Sequence, residues 1–144
     1  MSSEPLIIDA SGLILGRMAS HVAKLALEGR AIIIVNAEKA VISGNRKSII
    51  YEVKKKMGTR SLTSQEKAPS HPRRPDLYVR RAIRGMLPRK KSSGKEAFKR
   101  VKVYINVPEE YASKPAIRIS VAEASRLKRR YITIEDLSKE IGKV

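Results

Sequence analysis

Apolar and polar positions follow two different periods along the first part of this chain. Residues 6–8 form a short apolar run, and residues 31–35 form a second one without alternation, as expected of strands covered on both faces. Between them, apolar residues recur at helical spacing over residues 13–28, and Gly29 follows as a C-terminal cap. A strand, a helix and a strand at this spacing predict a βαβ unit with two parallel strands.

Downstream of this unit the pattern changes several times. Residues 40–42 are apolar and form either a strand or the lead into a turn, and residues 45–57 have helical periodicity with Asn45 as N-cap. Residues 58–75 have no period and contain three prolines, so they predict a long basic loop of the kind that is usually functional. The next predicted elements are a helix over 76–87, a flexible cationic loop over 89–94, a short helix over 95–100 and a strand over 101–107.

The C-terminal segment differs chemically from the middle of the chain. Residues 120–123 match a capping box and predict a helix to about residue 130. A last helix is predicted over residues 134–141, with an apolar face made of Ile134, Leu137 and Ile141. A helix this short is not stable alone in water, so its apolar face must pack on something. The near balance of charge over residues 109–144 favours a neighbouring protein, with docking on the chain's own body an almost equal alternative.

Length and composition indicate one globular domain over residues 1–144, with residues 115–144 as a C-terminal extension. Of the 144 residues, 42% are hydrophobic, which is enough for a substantial core. Cysteine is absent, which excludes disulfides, a thiol nucleophile and cysteine-based metal sites. No apolar run reaches the ~20 residues of a membrane span, and the N-terminus lacks the basic region of a signal peptide.

Positive charge is concentrated in residues 45–102, which we call the basic block. It holds nineteen Lys and Arg residues against four acids, and so carries +15 of the chain's net +17. A charge run is usually a solvated face, but this one is almost uncompensated and spans two amphipathic helices and two loops. Such a block indicates a polyanionic partner. RNA is favoured over DNA, because no helix-turn-helix, zinc-finger or zipper pattern is present.

Candidate catalytic residues are few. Gly12 and Gly16 precede a helix but complete neither a dinucleotide fingerprint nor a P-loop, so a tight turn is the simpler interpretation. His21 borders an apolar stripe and is interpreted as structural, whereas His71 lies in the basic loop and suits a stacking or phosphate contact. The adjacent acid pairs at 109–110 and 135–136 do not face each other on a helix. The chain is therefore not expected to be an enzyme or to hold a metal or a cofactor.

The candidate RNA-binding residues are most of the cations of the basic block, together with Asn45 and His71 of the same block and Arg17 outside it. Arg80, Arg81 and Arg84 fall within an arc of ~100° opposite the apolar side of their helix. Arg17 is added because the free N–H groups of a helix start favour phosphate. The full set is Arg17, Asn45, Arg46, Lys47, Lys54, Lys55, Lys56, Arg60, His71, Arg73, Arg74, Arg80, Arg81, Arg84, Arg89, Lys90, Lys91, Lys95, Lys99 and Arg100.

Several segments of the chain stand in an order that is typical of one protein family. The most specific is Arg-Gly-Met-Leu-Pro at 84–88, followed by Gly94 and by Val-Lys-Val-Tyr at 101–104. The other matching segments are residues 15–20, 22–24, 35–38 and 43–45. Together they closely resemble the L-thirteen family of universal large-subunit ribosomal proteins in its archaeal form. One departure is Ala68-Pro69, where the family often has Gly-Pro.

This resemblance implies an α/β fold, with three α/β/α layers, a four-stranded mainly parallel sheet, long basic loops and a helical C-terminal extension. It also implies binding to large-subunit ribosomal RNA and a role early in subunit assembly. We therefore expect a structural, cytoplasmic constituent of the large ribosomal subunit, with no membrane partner and no intrinsic homo-oligomer. Neighbouring ribosomal proteins are expected as further partners, through the C-terminal segment.

Two alternatives from other classes remain open at this point. A chromosome-coating protein without sequence specificity would share the positive charge, and a nuclease or RNA-modifying enzyme would share the RNA partner. Retention on ribosomal particles after a high-salt wash separates the first alternative from a ribosomal protein. Activity on labelled RNA with added magnesium tests the second.

Overall fold

A computed structural model of the chain describes residues 4–59, 62, 63, 66 and 71–142. The strands are β1 (Leu6–Asp9), β2 (Ile32–Val35), β3 (Val41–Ser43), β4 (Val101–Val103) and β5 (Tyr131–Thr133). The helices are α1 (Leu15–Leu27), α2 (Arg46–Met57), α3 (Pro75–Gly85), α4 (Ser92–Lys99), α5 (Glu109–Ala112) and α6 (Ile134–Gly142). The fold class is thus mixed α/β, as predicted.

The main sheet is parallel, with β2 in its centre between β1 and β4. All four residues of β2 are buried, because this strand has a neighbour on each side and cover on both faces. The predicted βαβ unit is confirmed by the parallel pairing of β1 with β2, in which Ile7 lies opposite Ile33.

The expectation of four strands in this sheet is wrong for the described residues, since the sheet has three. The fourth candidate, β3, leaves the parallel sheet and pairs antiparallel with β5, so that Ile42 lies opposite Ile132. No strand was predicted at β5.

The two faces of the main sheet are covered differently. On one face Ile8, Ile32 and Ile34 belong to the largest apolar cluster, to which α1, α3 and α4 contribute. On the other face Ile7, Ile33 and Val35 pack against two tyrosines, Tyr104 and Tyr111, whose ring centroids are 5.9 Å apart. The helical cover of the first face positions the outer sides of α3, which carries three arginines, and of α4, which carries two lysines.

The helix predicted to end near residue 130 does not form. Two single 3₁₀ turns, Ser120–Ala122 and Ala124–Arg126, stand in its place. Their backbone also bonds to the residues just before α1: Ile14 N–H donates to the Ala122 carbonyl at 2.6 Å, and Ala124 N–H donates to the Gly12 carbonyl at 2.8 Å. The capping-box pattern was present, but these tertiary hydrogen bonds outweigh it.

The last predicted helix is confirmed as α6, but its apolar face has a different partner from the one expected. Thr133 caps it, because its hydroxyl oxygen accepts from the Asp136 N–H at 3.2 Å. The apolar face packs within the chain, with Ile134, Leu137 and Ile141 buried against the body and α2. The preference for a neighbouring protein as the partner of this apolar face was wrong, and the alternative of docking within the chain was right.

Three smaller expectations are also corrected. The cationic loop over 89–94 is shorter than predicted, because α4 begins at Ser92 and Gly94 is buried against Pro88. The strand predicted over 101–107 ends at Val103, and Asn106, with φ 59°, donates its N–H to the buried Glu38 carboxylate. The helical spacing of residues 76–87 also predicts Met86 on the apolar side of that helix, but it is 44% exposed because α3 ends at Gly85.

Candidate nucleic-acid interface

Helix α3 presents two chemically different sides. It begins with Pro75, whose missing N–H suits a first helical position. Val79, Ile83 and Leu87 are buried in the main cluster. The arginines at 80, 81 and 84 therefore lie on or near the outer side, as the helical spacing predicted.

A ring from α4 holds one of these arginines in place. The guanidinium carbon of Arg80 lies 4.0 Å from the centroid of the Phe98 ring. This cation–π contact fixes the plane of the guanidinium while its N–H donors, which lie in that plane, stay available at the edge. Arg80 thus contributes to the packing of α3 on α4 as well as to the charged surface.

A first cavity, which we call the arginine groove, lies between α3 and α4 and has a volume of about 290 Å³. All three arginines of α3 line it. The remaining lining is Pro72, Leu77 and Phe98. Three guanidinium groups around one cavity are suited to bidentate contacts with phosphate oxygens.

A second cavity, which we call the α2–α3 cavity, has a volume of about 270 Å³. Its walls are mainly apolar and include Val53 and Met57 of α2 and Ala82 of α3. Polar groups converge on it as well, among them Lys56, and Glu52 one turn earlier on α2. Burial raises the pKa of the Tyr78 phenol, another lining group, so the phenol is protonated at neutral pH.

His71 gives the α2–α3 cavity an unusual polar atom. The ring lines the cavity, and its Nε2 atom is buried without a hydrogen-bond partner in the described parts of the chain. Buried polar atoms are normally paired, so an unpaired one at a cavity needs an explanation. The sequence had suggested His71 as an RNA contact, but it did not predict its burial at a cavity.

The two cavities lie side by side, because Pro72 and Arg81 line both of them. Of the residues predicted from the sequence, the structure brings five together here. They are Lys56, His71, Arg80, Arg81 and Arg84. The apolar residues that shape this region, such as Met57 and Phe98, were missed as site residues, since periodicity assigns them only to packing.

A third cluster lies at the start of α2. The Asn45 side chain accepts from the Lys47 N–H at 3.0 Å, which confirms the predicted N-cap. Arg46 pairs with two acids of α6, at 3.2 Å from Glu140 and 3.9 Å from Asp136. Part of its charge is thus compensated within the chain.

The sequence missed two residues of this third cluster. Arg130 and the half-exposed Tyr131 line a shallow cavity of about 530 Å³ together with residues 45–47. They reach this place through the pairing of β3 with β5, which was not predicted. The basic run at residues 128–130 was the available signal.

Three more of the predicted residues have partners inside the chain. Arg100 donates to the Ala26 carbonyl at the end of α1 at 3.0 Å. Arg74 pairs with Asp76 at 3.0 Å, and Arg17 lies 3.5 Å from the Val121 carbonyl. The contacts of Arg17 and Arg74 are exposed, and contacts of this kind contribute little and open readily, whereas the hydrogen bond of Arg100 is partly buried.

The remaining predicted residues are dispersed. Among the described residues, neither of the two adjacent cavities is lined by Lys54, Lys55, Arg73, Arg89, Lys90, Lys91, Lys95 or Lys99, all of which are exposed. Arg60 lies outside the described residues, as do seven other residues of the long loop predicted over 58–75. Their roles in binding stay predictions.

The carboxyl end of the parallel sheet, where α/β proteins often bind ligands, is occupied by the chain itself. Asp9 accepts from the Ser11 N–H at 3.0 Å and from the Asn36 amide at 3.1 Å, and pairs with Arg118 at 3.6 Å. Burial raises the pKa of Asp9, but the hydrogen bonds from Ser11 and Asn36 and the charge of Arg118 outweigh it, so the pKa is lowered. This end of the sheet is a structural polar cluster.

Two other features are absent from the described part of the chain. No helix there has the length and apolar character needed to cross a membrane. Likewise, these residues contain no group of three or more His, Cys, Asp and Glu side chains that could hold a metal ion.

Comparison with known proteins gives a consistent result. A sequence model of the family described as Ribosomal protein L13 matches residues 3–110. The large ribosomal subunit protein uL13 of Methanococcoides burtonii is 47% identical over 139 residues, covering 94% of this chain and 96% of the relative. The proteins of the same name from Sulfurisphaera tokodaii and Methanocaldococcus jannaschii are 43% and 44% identical. These two matches cover 99% and 94% of this chain, and 97% and 96% of the relatives.

Proposed function

This chain belongs to the ribosomal protein L13 family, and from that premise we propose that it binds large-subunit ribosomal RNA through the outer side of α2, α3 and α4. Its role is structural and not enzymatic, as a constituent of the large ribosomal subunit in the cytoplasm. We also propose that the chain supports early assembly of the subunit. The three-layer α/β/α arrangement that the family resemblance implies stays a prediction.

The observation that carries this proposal is the arginine groove. Its three guanidinium groups lie on a helix whose opposite side is buried, so their direction is fixed by the core. Arg80 is further held by Phe98. Charges held in this way neutralise phosphates without first losing side-chain freedom, which favours binding.

A folded RNA suits this surface better than a uniform duplex does. The groove and the adjacent cavity form an irregular surface around α3, with exposed cations of α2 and α4 on either side. Proteins recognise RNA mostly at loops, bulges and ends, where phosphates cluster and bases are accessible.

Contacts with neighbouring ribosomal proteins are proposed for the outward side of the C-terminal segment. The apolar face of α6 is used inside the chain, so this contact would be polar. Glu135 and Lys139 are exposed on that side, 3.4 Å apart.

The test is a triple substitution of Arg80, Arg81 and Arg84 by Gln, which removes the charge and keeps most of each stem. We expect weaker binding to large-subunit rRNA fragments. The plot of the logarithm of the binding constant against the logarithm of the salt concentration should also become less steep, by roughly 0.7–0.9 in slope for each of up to three lost phosphate contacts. Gln is preferred to Ala because Arg80 packs on Phe98.

A matched control removes three cations outside the basic block. Lys24, Arg30 and Lys39 are exposed and suit this purpose, again as Gln substitutions. The control variant should keep most of its affinity. Equal losses in both triple variants would mean that only net charge matters, and an unaffected arginine variant would contradict the proposed interface.

A further inference from the structure

In the described structure, an apolar hollow opens beside the groove that holds the three arginines of α3. We propose that the α2–α3 cavity receives one unstacked nucleobase of the RNA, while the arginine groove holds phosphates of the same strand. This inference rests on the proposed function and names a subsite within it. The occupant is argued from the walls of the cavity, its polar atoms and its position next to concentrated positive charge.

The walls and size of the cavity suit a nucleobase. Met57, Pro72 and Ala82 offer apolar surface to the faces of a planar ring. The volume of about 270 Å³ is just below the ~300–1,000 Å³ of sites for drug-sized molecules, so it admits one base and excludes a large cofactor.

The polar atoms of the cavity suit the edge of a base. His71 Nε2 is buried and has no partner in the described parts of the chain, and a base edge supplies both donors and acceptors. Glu52 also lines the cavity, and a carboxylate accepts hydrogen bonds from the exocyclic amino group of adenine or cytosine. Uracil has no such group, so the presence of Glu52 in the lining favours amino-bearing bases over uracil.

The position of the cavity links it to the phosphate site. Arg81 and Pro72 line both cavities, so an RNA strand that passes over these two residues places a base on one side and phosphates on the other. Single-stranded RNA loops can splay a base away from its neighbours in this way. A base and its phosphates therefore account for both cavities with one ligand, which an apolar protein side chain would not do.

The test compares two probes of equal charge. One is a hexamer of adenosine, and the other is the same hexamer with the central bases removed. Methyl groups of Met57 and Ala82 and the ring of His71 are followed by NMR during titration. We expect all three signals to shift with the adenosine hexamer and to stay near their free positions with the abasic one. The adenosine hexamer should bind roughly tenfold more tightly, and a uridine hexamer should fall between them.

A cavity-filling variant, Ala82→Leu, makes the test specific. It should reduce the affinity for the adenosine hexamer to that for the abasic one, without changing the salt dependence. Ala112→Leu makes the same change at an exposed position of α5 and should bind like the unmodified protein. If Ala82→Leu does not fold, His71→Leu takes its place, since it keeps an apolar wall and removes the polar edge.

The possible failures are distinguishable. Equal affinity for the adenosine and abasic hexamers, with a normal salt dependence, would refute the base subsite and leave the RNA-binding proposal intact. Cavity signals that do not respond to the adenosine hexamer, because a side chain of the preceding loop fills the cavity, would refute it too. Loss of all binding to both hexamers and to rRNA fragments would overturn the base subsite and the proposed function together.

Discussion

Replacement of Leu137 by Ala tests whether the C-terminal helix is part of the core of the isolated protein. The side chain is 0% exposed and belongs to one apolar cluster with Ile132 and Ile141. Half-buried residues of α2, including Val53 and Met57, pack against that cluster. The substitution thus removes contacts that hold both α6 and α2 to the body.

The size of the effect follows from burial. A fully buried Leu replaced by Ala loses its transfer free energy and leaves a cavity, which together cost roughly 2–5 kcal/mol. For chains near this length, 1 kcal/mol corresponds to roughly 2–4 °C in Tm, so a loss of ~3 kcal/mol lowers the Tm by roughly 6–12 °C. An exposed Leu that only contacts another protein would change the free energy of unfolding by less than about 0.5 kcal/mol.

The measurement is thermal and urea unfolding of the RNA-free protein, followed by far-UV circular dichroism. The control is Lys139→Ala on the exposed side of the same helix, which removes one i,i+4 ion pair with Glu135 and should change stability by less than ~0.5 kcal/mol. If Leu137→Ala unfolds at the same temperature as the control, α6 is not part of the core of the free protein, and the reasoning from burial is wrong.

Two further predictions from the same structure concern substitutions of glycine residues. In Gly94→Ala, the new Cβ would overlap the Pro88 carbonyl oxygen, so the start of α4 must shift; we expect a loss of roughly 1–3 kcal/mol in thermal unfolding, and a wild-type Tm would contradict this packing. In Gly85→Ala, the new Cβ meets nothing within 4 Å among the described residues, and helix propensity favours Ala by up to ~1 kcal/mol. We therefore expect an equal or higher Tm with weaker RNA binding, because a bound strand would approach this backbone; unchanged affinity would show that no strand does.

Local periodicity in the sequence was sufficient to predict the βαβ unit and the two sides of α3. The stripe of α1 and the uninterrupted apolar run of β2 each depend on neighbours in sequence, and both elements formed where they were predicted. The arginines at 80, 81 and 84 could be assigned to the outer side because a helix fixes direction residue by residue.

Pairings between distant segments could not be predicted in the same way. Strands β3 and β5 have three residues each, too few for a clear alternation, and their partnership depends on how the chain between them folds. The 3₁₀ turns around Ala122 replaced a helix for a related reason, since residues 12–14 offered their backbone better hydrogen-bond partners. The strand β5 and the 3₁₀ turns, which were not predicted, both lie in the C-terminal segment, where short elements are stabilised by the body and not by their own sequence.

The two adjacent cavities show why the sequence revealed the charged residues of the site but not the cavities that they line. Each cationic residue could be judged alone, because uncompensated charge needs a partner wherever it lies. The cavities exist only where α2, α3, α4 and the segment around His71 meet, and their walls are residues that periodicity assigns to packing. The same apolar contacts that fix the core thus decide where the charges converge. The Arg80–Phe98 contact joins the two roles in one pair of side chains.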